Sequence, residues 1–156
     1  MKLLFKQRFF SWFDSYDIYD ADGNTVFTVE GRLSWGHKLE IFDRGGAHIA
    51  TLKERVFTFM PKFEIYIGEN YVGEIVKKFT LLKPSFSVDC CGYTVSGDFF
   101  EWDYRIMSGI CEIARIEKEL FRWTDTYVID VADEKNALIS LMIVLAIDAA
   151  KCDNGN

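Results

Sequence analysis

Proline and histidine are both scarce in this sequence, with two of each among 156 residues. The two histidines, His37 and His48, belong to no motif that would link them to a nucleophile. The sequence also lacks a G-x-S-x-G motif and a glycine-rich phosphate loop. We therefore predict that the protein is not an enzyme, and we expect no cofactor.

Cysteine is present four times, but not in a metal-binding or redox pattern. Cys90, Cys91, Cys111 and Cys152 form no C-x-x-C pair and have no accompanying histidine spacing, which excludes the usual zinc signatures. Neighbouring residues on a strand point to opposite faces, so we predict opposite directions for Cys90 and Cys91. We interpret Cys111 as a packing residue rather than a reactive thiol.

A secretory signal and an excess of positive charge are also missing. Lys6 and Arg8 interrupt the apolar stretch at the start of the chain before it reaches the length of a signal peptide. We therefore predict a cytoplasmic protein with reduced thiols. The formal net charge of −6 opposes nonspecific binding to nucleic acid, and we expect no nucleic-acid partner.

A degenerate hairpin repeat dominates what is present. Apolar alternation meets a turn and then resumes in YDIYDADGNTVFTVEGRL, HKLEIFDRGGAHIATLKERVF, PKFEIYIGENYVGEIVKKF and PSFSVDCCGYTVSGDFF. With residues 2–9 as a first strand, the chain contains about twelve strands before Asp133. Because an open sheet of that size exposes long edges, we predict that it closes into a barrel. The apolar positions that align before successive turns are Ile18, Ile41, Ile65, Val88, Ile106 and Ile129.

The segment 136–150 breaks this alternation and predicts a helix, with Asp133 as its N-cap. Its apolar core spans about 16 Å, whereas the hydrocarbon layer of a bilayer is about 30 Å thick. A helix that is apolar all round but too short to cross a membrane fits inside the barrel. We expect Asp148 to reach water there rather than to pair with Lys or Arg. The predicted central-helix residues are Leu138, Ile139, Leu141, Met142, Ile143, Val144, Leu145 and Ile147.

The predicted architecture is therefore mainly β (α+β): a single domain over residues 1–156, built as a closed antiparallel barrel of about twelve strands around a central hydrophobic C-terminal helix. No transmembrane span is predicted. The segments PKFEIYIGENYVGEIVKKF, RWTDTYVIDV and NALISLMIVLAID resemble the LURP-one-related family, a branch of the tubby-like barrel superfamily that also includes phospholipid scramblases. This resemblance implies a twelve-stranded barrel around a central helix and implies no activity.

The resemblance to tubby proteins, which bind phosphoinositides through a basic surface, directs attention to four basic residues. Aligning the hairpin repeats places Lys53, Arg55, Lys77 and Lys78 at similar heights on the barrel wall, as a predicted ligand-binding patch. The alternative is a solvated strand face of mixed charge. No lipid-binding residue of the tubby proteins maps onto a position of this sequence.

The resemblance to scramblases, which have a proposed acidic calcium segment before their final helix, directs attention to Asp125, Asp130 and Asp133. These residues do not follow the EF-hand spacing, and calcium requires six or more converging oxygens. Asp125 is explained by a turn and Asp133 by a helix cap. We therefore expect no metal site in this segment.

The sequence as a whole favours a non-enzymatic binding module that acts on a phospholipid headgroup, a membrane surface or a protein. The expected partner is an anionic phospholipid or another protein. The alternative is a small structural or regulatory scaffold without lipid affinity. The sequence does not predict the oligomeric state.

Overall fold

The computed structural model describes residues 1–6, 14–78, 81, 85–120 and 125–152. Twelve antiparallel strands form one sheet and are followed by a short 3-10 turn, Glu134–Asn136, and one α-helix. The elements are β1 Lys2–Lys6, β2 Ser15–Tyr19, β3 Thr25–Ser34, β4 Gly36–Asp43, β5 His48–Glu54, β6 Lys62–Ile67, β7 Asn70–Lys78, β8 Ser85–Cys90, β9 Thr94–Asp98, β10 Asp103–Ser108, β11 Cys111–Leu120, β12 Asp125–Val131 and α1 Ala137–Cys152.

The sheet curves into a nearly closed barrel, as the sequence predicted. Its spatial order is β8-β7-β6-β5-β4-β3-β2-β1-β12-β11-β10-β9, so each strand pairs with its neighbour in sequence except where β1 meets β12. No ladder pairing is recorded between β8 and β9 within the described residues, although the turn 90–93 connects them. We call this interruption the seam.

The C-terminal helix runs inside the barrel, which confirms its predicted position. Every residue from Leu141 to Ile147 is at most 2% exposed, and α1 contacts β5, β6, β7 and β12. Leu138 and Ile139, at the start of the helix, are half-buried. No helix of the described residues combines the length and the apolarity that a membrane crossing needs.

Asp133 caps the entry to this helix through the 3-10 turn. Its Oδ1 atom accepts a hydrogen bond of 3.1 Å from the backbone N–H of Lys135, and the Lys135 ammonium lies 2.9 Å from Oδ2. The N-cap prediction is therefore confirmed, with the 3-10 turn preceding α1.

The two ends of the barrel are built from different connections. Where the helix begins, tight turns join the strands, and the predicted reversals are all present. We call this the turn end. Where the helix ends, the residues between strands include the segments 55–61 and 99–102, and we call this the loop end. The turn-end glycines with a left-handed backbone are Gly23, Gly46, Gly68, Gly92 and Gly109.

The first strand is shorter than predicted within the described residues. β1 ends at Lys6, and the predicted continuation through residues 7–9 lies outside the described part. β1 pairs with β12 at five positions but with β2 only through Leu4 and Tyr19. An open cleft of about 470 Å³ lies between β1 and β2.

Candidate functional site at the loop end

Large apolar side chains project into solvent at the loop end. A folded chain normally buries such residues, and several of them gathered at one end of a molecule mark an interaction surface. They lie at the ends of strands or in the connections between them. We call them the aromatic rim: Leu33 (86% exposed), Trp35 (85%), Phe57 (95%), Phe59 (97%), Leu81 (89%) and Phe100 (61%).

The turn end exposes few residues of this kind. Among the described residues, its large exposed apolar side chains are Ile110, at 97%, and Tyr71, at 52%. The sequence shows the same asymmetry, because Trp12, Trp35 and Trp123 all fall between strands that meet at the loop end, as does the fourth tryptophan of the chain. Trp12 and Trp123 themselves lie outside the described residues. The rim was not predicted from the sequence, and tryptophan alone does not mark it, because Trp35 is exposed whereas Trp102 is buried.

Glu54 ties two neighbouring tips of the rim together. Its Oε2 atom accepts a 2.8 Å hydrogen bond from the backbone N–H of His37 and lies 2.8 Å from the His37 Nδ1 atom. Gly36, with a φ of +83°, leaves no room for a side chain, because an added Cβ would lie 2.6 Å from Val56 Cγ1. The Trp35 tip is thereby held against the start of the loop that carries Phe57.

The loop that carries Phe57 and Phe59 is braced from within. The single proton of the Thr58 hydroxyl has two carbonyl oxygens within hydrogen-bond distance, Met60 O at 2.8 Å and Arg55 O at 3.1 Å. Phe57 has a φ of 62°, which is uncommon for a bulky residue. This backbone conformation persists only where surrounding contacts fix it, so the loop presents its two phenyl rings from a defined frame.

Buried aromatic rings lie directly behind the rim. The Trp102 ring packs on Tyr127 with centroids 3.9 Å apart and meets Phe5 at 5.8 Å. Phe86 on β8 and Phe99 after β9 make an edge-on contact at 5.0 Å, and this contact closes the loop-end side of the seam. The rim therefore rests on packed side chains rather than on an opening into the barrel.

The end of the helix is joined to the 99–102 connection by Lys151. Its ammonium donates to the Phe99 carbonyl oxygen at 2.8 Å, lies 4.2 Å from the centre of the Trp102 ring, and is 3.7 Å from Asp148 Oδ1. Such an ammonium combines a charge-assisted hydrogen bond with a cation–π contact. Lys151 thus fixes the connection that carries Phe100.

The expectation that Asp148 reaches water rather than a cation is wrong. The Asp148 side chain is only 19% exposed, and its neighbour Lys151 only 11%. The central position of the helix places this last turn inside the loop end instead of beyond it. Burial raises the pKa of Asp148 to about 6, against the opposing attraction of Lys151.

The four basic residues predicted as a ligand-binding patch do not share one surface. Lys53 and Lys78 are exposed, whereas Lys77 is half-buried on the strand face that Ile75 turns towards the core. Lys53 is paired with Glu64 on β6, and Glu64 is paired with Glu74 on β7. Lys78 lies four residues after Glu74, about 13 Å further along β7.

Arg55 and Lys78 do lie next to the rim. Arg55 begins the 55–61 loop, and its guanidinium is 3.7 Å from a Glu64 carboxylate oxygen. Lys78 is the last residue of β7 at the loop end. Lys53, the penultimate residue of β5, lies two residues before Arg55 and is in register with the same Glu64, so within the predicted patch it is Lys77 that faces the other side of the sheet.

The three acidic residues considered for calcium are also dispersed. Asp125 is the first residue of β12 and Asp133 follows the end of that strand, about 25 Å away along an extended chain. Asp130 is exposed and in register with Lys2 and Arg115. Among the described residues, no group of three or more His, Cys, Asp or Glu side chains is placed to hold a metal ion.

The two histidines lie at opposite ends of the barrel. His37 is near the start of β4 at the loop end, and His48 begins β5 at the turn end, where its Nε2 atom lies 2.9 Å from both Ala50 O and Thr51 Oγ1. The absence of catalysis stays a prediction.

Two predictions about cysteine are wrong. Cys111 is exposed rather than packed. Cys90 is buried and Cys91 is exposed, but their sulfur atoms do not diverge, because Cys91 lies in a turn with a φ of 58° and the two Sγ atoms are 3.1 Å apart. The rule of opposite faces applies within a strand, and β8 ends at Cys90.

Comparison with known proteins assigns the chain to a family. The model of the family described as LURP-one-related matches residues 1–148. The chain belongs to the LURP-one-related family. This LURP-one-related protein is 31% identical over 149 residues to the uncharacterized protein YxjI of Bacillus subtilis (strain 168), an alignment that covers 95% of the present chain and 92% of YxjI.

The fold of this LURP-one-related protein also matches a solved structure. An X-ray structure of a protein from Arabidopsis thaliana superposes with a TM-score of 0.63, at 17% identity, over 95% of the present chain and 90% of the plant chain. At this level of identity the likeness concerns the fold alone.

Proposed function

We propose that this protein is a non-enzymatic module that docks on phospholipid membrane surfaces by inserting the aromatic rim. The observation that carries the proposal is the placement of six large apolar side chains, 61–97% exposed, at one end of the barrel. Trp and Phe are the side chains that anchor proteins at the boundary between headgroups and acyl chains.

The shape of the rim favours a membrane over a protein partner. Its members stand on separate tips, at the end of β3 and in the connections that follow β3, β5, β7 and β9, instead of forming one continuous groove. Separate tips can enter a fluid lipid layer independently, whereas a protein partner needs a matching contour. A rigid frame behind them, such as the Glu54–His37 contact, lowers the entropy lost on docking.

The distribution of charge supports the same orientation, despite the net charge of −6. At the turn end, the residues between consecutive elements contain four acidic side chains and one basic one, Arg44. Among the described residues between loop-end strands there are two acidic side chains, Asp14 and Glu101, and one basic one, Arg55, and Lys78 ends β7 beside them. Lys78 and Arg55 lie where they can reach the headgroups of an anionic surface. Three further basic residues of these sequence segments, Arg8, Lys83 and Arg122, lie outside the described residues.

Vesicle sedimentation tests this proposal. The intact protein is mixed with phosphatidylcholine vesicles, with and without an added anionic phospholipid, and compared with the double variant Phe57→Ser, Phe59→Ser. If each phenyl ring contributes about 1.5 kcal/mol on insertion, the double variant binds about a hundredfold more weakly. Ile110→Ser is the matched control, because Ile110 is as exposed as Phe59 but lies at the turn end.

The outcomes are distinguishable. Binding that depends on Phe57 and Phe59, is unchanged by Ile110→Ser and survives high salt supports insertion of the rim. Binding that salt abolishes and that the double variant retains would mean electrostatic adsorption, and it would overturn the proposal. Absence of binding to every vesicle would also overturn it, in favour of a scaffold without lipid affinity.

A further inference from the structure

Two adjacent cysteine sulfur atoms lie in contact at the turn end of the seam. Cys90 Sγ and Cys91 Sγ are 3.1 Å apart, and the turn is closed by a 3.0 Å hydrogen bond from the Tyr93 N–H to the Cys90 carbonyl oxygen. Cys91 and Gly92 both have left-handed backbones, with φ of 58° and 70°. Cys90 is 2% exposed, whereas Cys91 faces solvent.

We propose that Cys90 and Cys91 form a dithiol site that low-molecular-weight disulfides oxidise reversibly to a disulfide between adjacent residues. This site is independent of membrane docking, since it lies at the opposite end of the barrel from the aromatic rim. The dithiol supplies two electrons, and the co-reactant is a small disulfide of the glutathione class.

The exposure of the two sulfur atoms sets the order of the steps. The Cys91 thiolate attacks one sulfur of the small disulfide, so a mixed disulfide forms and the first thiolate leaves. Cys90 then loses its proton to the departed thiolate and attacks Cys91 Sγ, which expels the second small thiolate, and this thiolate takes up a proton from water in place of the one that Cys91 released. Two protein thiols are oxidised, and one small disulfide is reduced to two thiols.

The electrostatics of the pair agree with this order. Burial raises the pKa of Cys90 to about 12, with further contributions from its hydrogen bond to Cys91 and from the negative charges of Cys91 and Asp89. Cys90 is therefore a thiol while Cys91 is the nucleophile. Formation of the mixed disulfide removes the contributions that Cys91 makes to the raised pKa of Cys90, whereas the largest cause, burial, remains.

Covalent geometry makes the bond reversible. Cysteines in a disulfide usually have Cα atoms about 4.4–6.8 Å apart, whereas adjacent residues across a trans peptide are held at about 3.8 Å. The resulting strain makes the bond easy to reduce, as in regulatory disulfides and unlike structural ones. Oxidation must also change the Cys91 turn, from which the Tyr93 hydroxyl reaches Asn136 Oδ1 at 3.3 Å.

Mass spectrometry of the wild-type protein tests the site without any substitution. The protein is incubated with glutathione disulfide, free thiols are capped with N-ethylmaleimide, and the peptide containing residues 90 and 91 is weighed. We expect this peptide to lose the mass of two hydrogen atoms, to take up no maleimide, and to recover both thiols on mild reduction. Cys111 acts as an internal control, because it is exposed and has no adjacent cysteine.

Two variants assign the steps. Cys90→Ala is expected to leave a persistent glutathione adduct on Cys91, because the resolving thiol is absent. Cys91→Ser is expected to leave Cys90 unmodified, because that sulfur is buried. A stable glutathione adduct on wild-type Cys91, a disulfide from Cys91 to Cys111, or a pair that stays reduced while Cys111 is glutathionylated would each overturn the proposal.

Discussion

The turn end and the loop end of the barrel close the same strands by opposite means. At the turn end, glycines with left-handed backbones reverse the chain in a few polar residues, and acidic side chains face the solvent. At the loop end, phenylalanine and tryptophan occupy the tips and their rings project outward. The contrast shows that the wall and the central helix bury the apolar residues of the strands, whereas the loop end leaves large apolar side chains in solvent.

Substituting one wall glycine near each end tests whether both ends of the barrel wall contribute equally to the free energy of unfolding. Gly97, near the loop end, would place a Cβ 2.4 Å from the Asp103 carbonyl oxygen, and Gly73, near the turn end, 2.2 Å from that of Asp89. We expect Gly97→Ala and Gly73→Ala each to lower the free energy of unfolding by about 3 kcal/mol. Denaturant unfolding measures both. If Gly97→Ala lowered the free energy of unfolding much less than Gly73→Ala, the wall near the loop end would be able to shift and accept the added Cβ.

Two aspartates at opposite ends of the barrel have pKa values shifted in opposite directions. The raised pKa of Asp148, which lies close to Tyr16, Tyr104 and Lys151, means that its stabilising contribution is full below pH 4 and is lost as the pH rises through 6. Asp148→Asn should therefore raise the free energy of unfolding at pH 8 by about 2 kcal/mol, an advantage that disappears near pH 4. Thermal melts across this range measure the difference.

The turn-end counterpart should behave in the opposite way. A hydrogen bond from the Asn24 N–H, aided by other donors and by Arg44, lowers the pKa of Asp20. Its contribution is present above its ordinary pKa of about 4 and is lost as the pH falls through the lower folded value. Asp20→Asn should thus destabilise the protein at pH 8. The difference in stability between the variant and the wild-type protein should shrink in acid. If Asp148→Asn and Asp20→Asn changed the free energy of unfolding at pH 8 in the same direction, this contrast between the two ends would be contradicted.

The smallest expected effect is that of Gly46→Ala at the turn end, which should change stability without changing vesicle binding. Gly46 has a φ of +80° and no atom within 4 Å of an added Cβ, so Gly46→Ala carries only the backbone penalty of about 1 kcal/mol. We expect a slightly lower melting temperature and unchanged vesicle binding. The double variant at Phe57 and Phe59 should show the converse. Weaker vesicle binding by Gly46→Ala would mean that the two ends are coupled.

The sequence predicts the turn end well because its signals are local. Each glycine turn specifies a reversal within four residues, and the apolar residue before it, such as Ile18 or Ile41, then lies in the core. The helix is equally predictable, because a helix that is apolar on every side and too short to cross a membrane must be buried inside the protein. Local chemistry thus determines the strand count and the position of the helix.

The loop end was harder to predict because its signals depend on where the barrel stops. Phe99 and Phe100 are adjacent in sequence, yet Phe99 is buried and Phe100 is exposed, and apolar patterning alone cannot tell a residue inside the barrel from one beyond its end. The burial of Asp148 depends likewise on how far the helix extends through the barrel. Both features are set by long-range packing, which single-sequence patterns do not encode.

The pairing of β1 with β12 constrains how the protein is made. β1 joins β12 at five positions and β2 at only one, so its true partner lies more than a hundred residues downstream. While a ribosome is still synthesising the chain, the first strand has almost nothing to bind, and contacts of such sequence separation form slowly. The barrel therefore cannot form until β12 has been synthesised. Until then the apolar strands of the nascent chain are exposed and prone to aggregation.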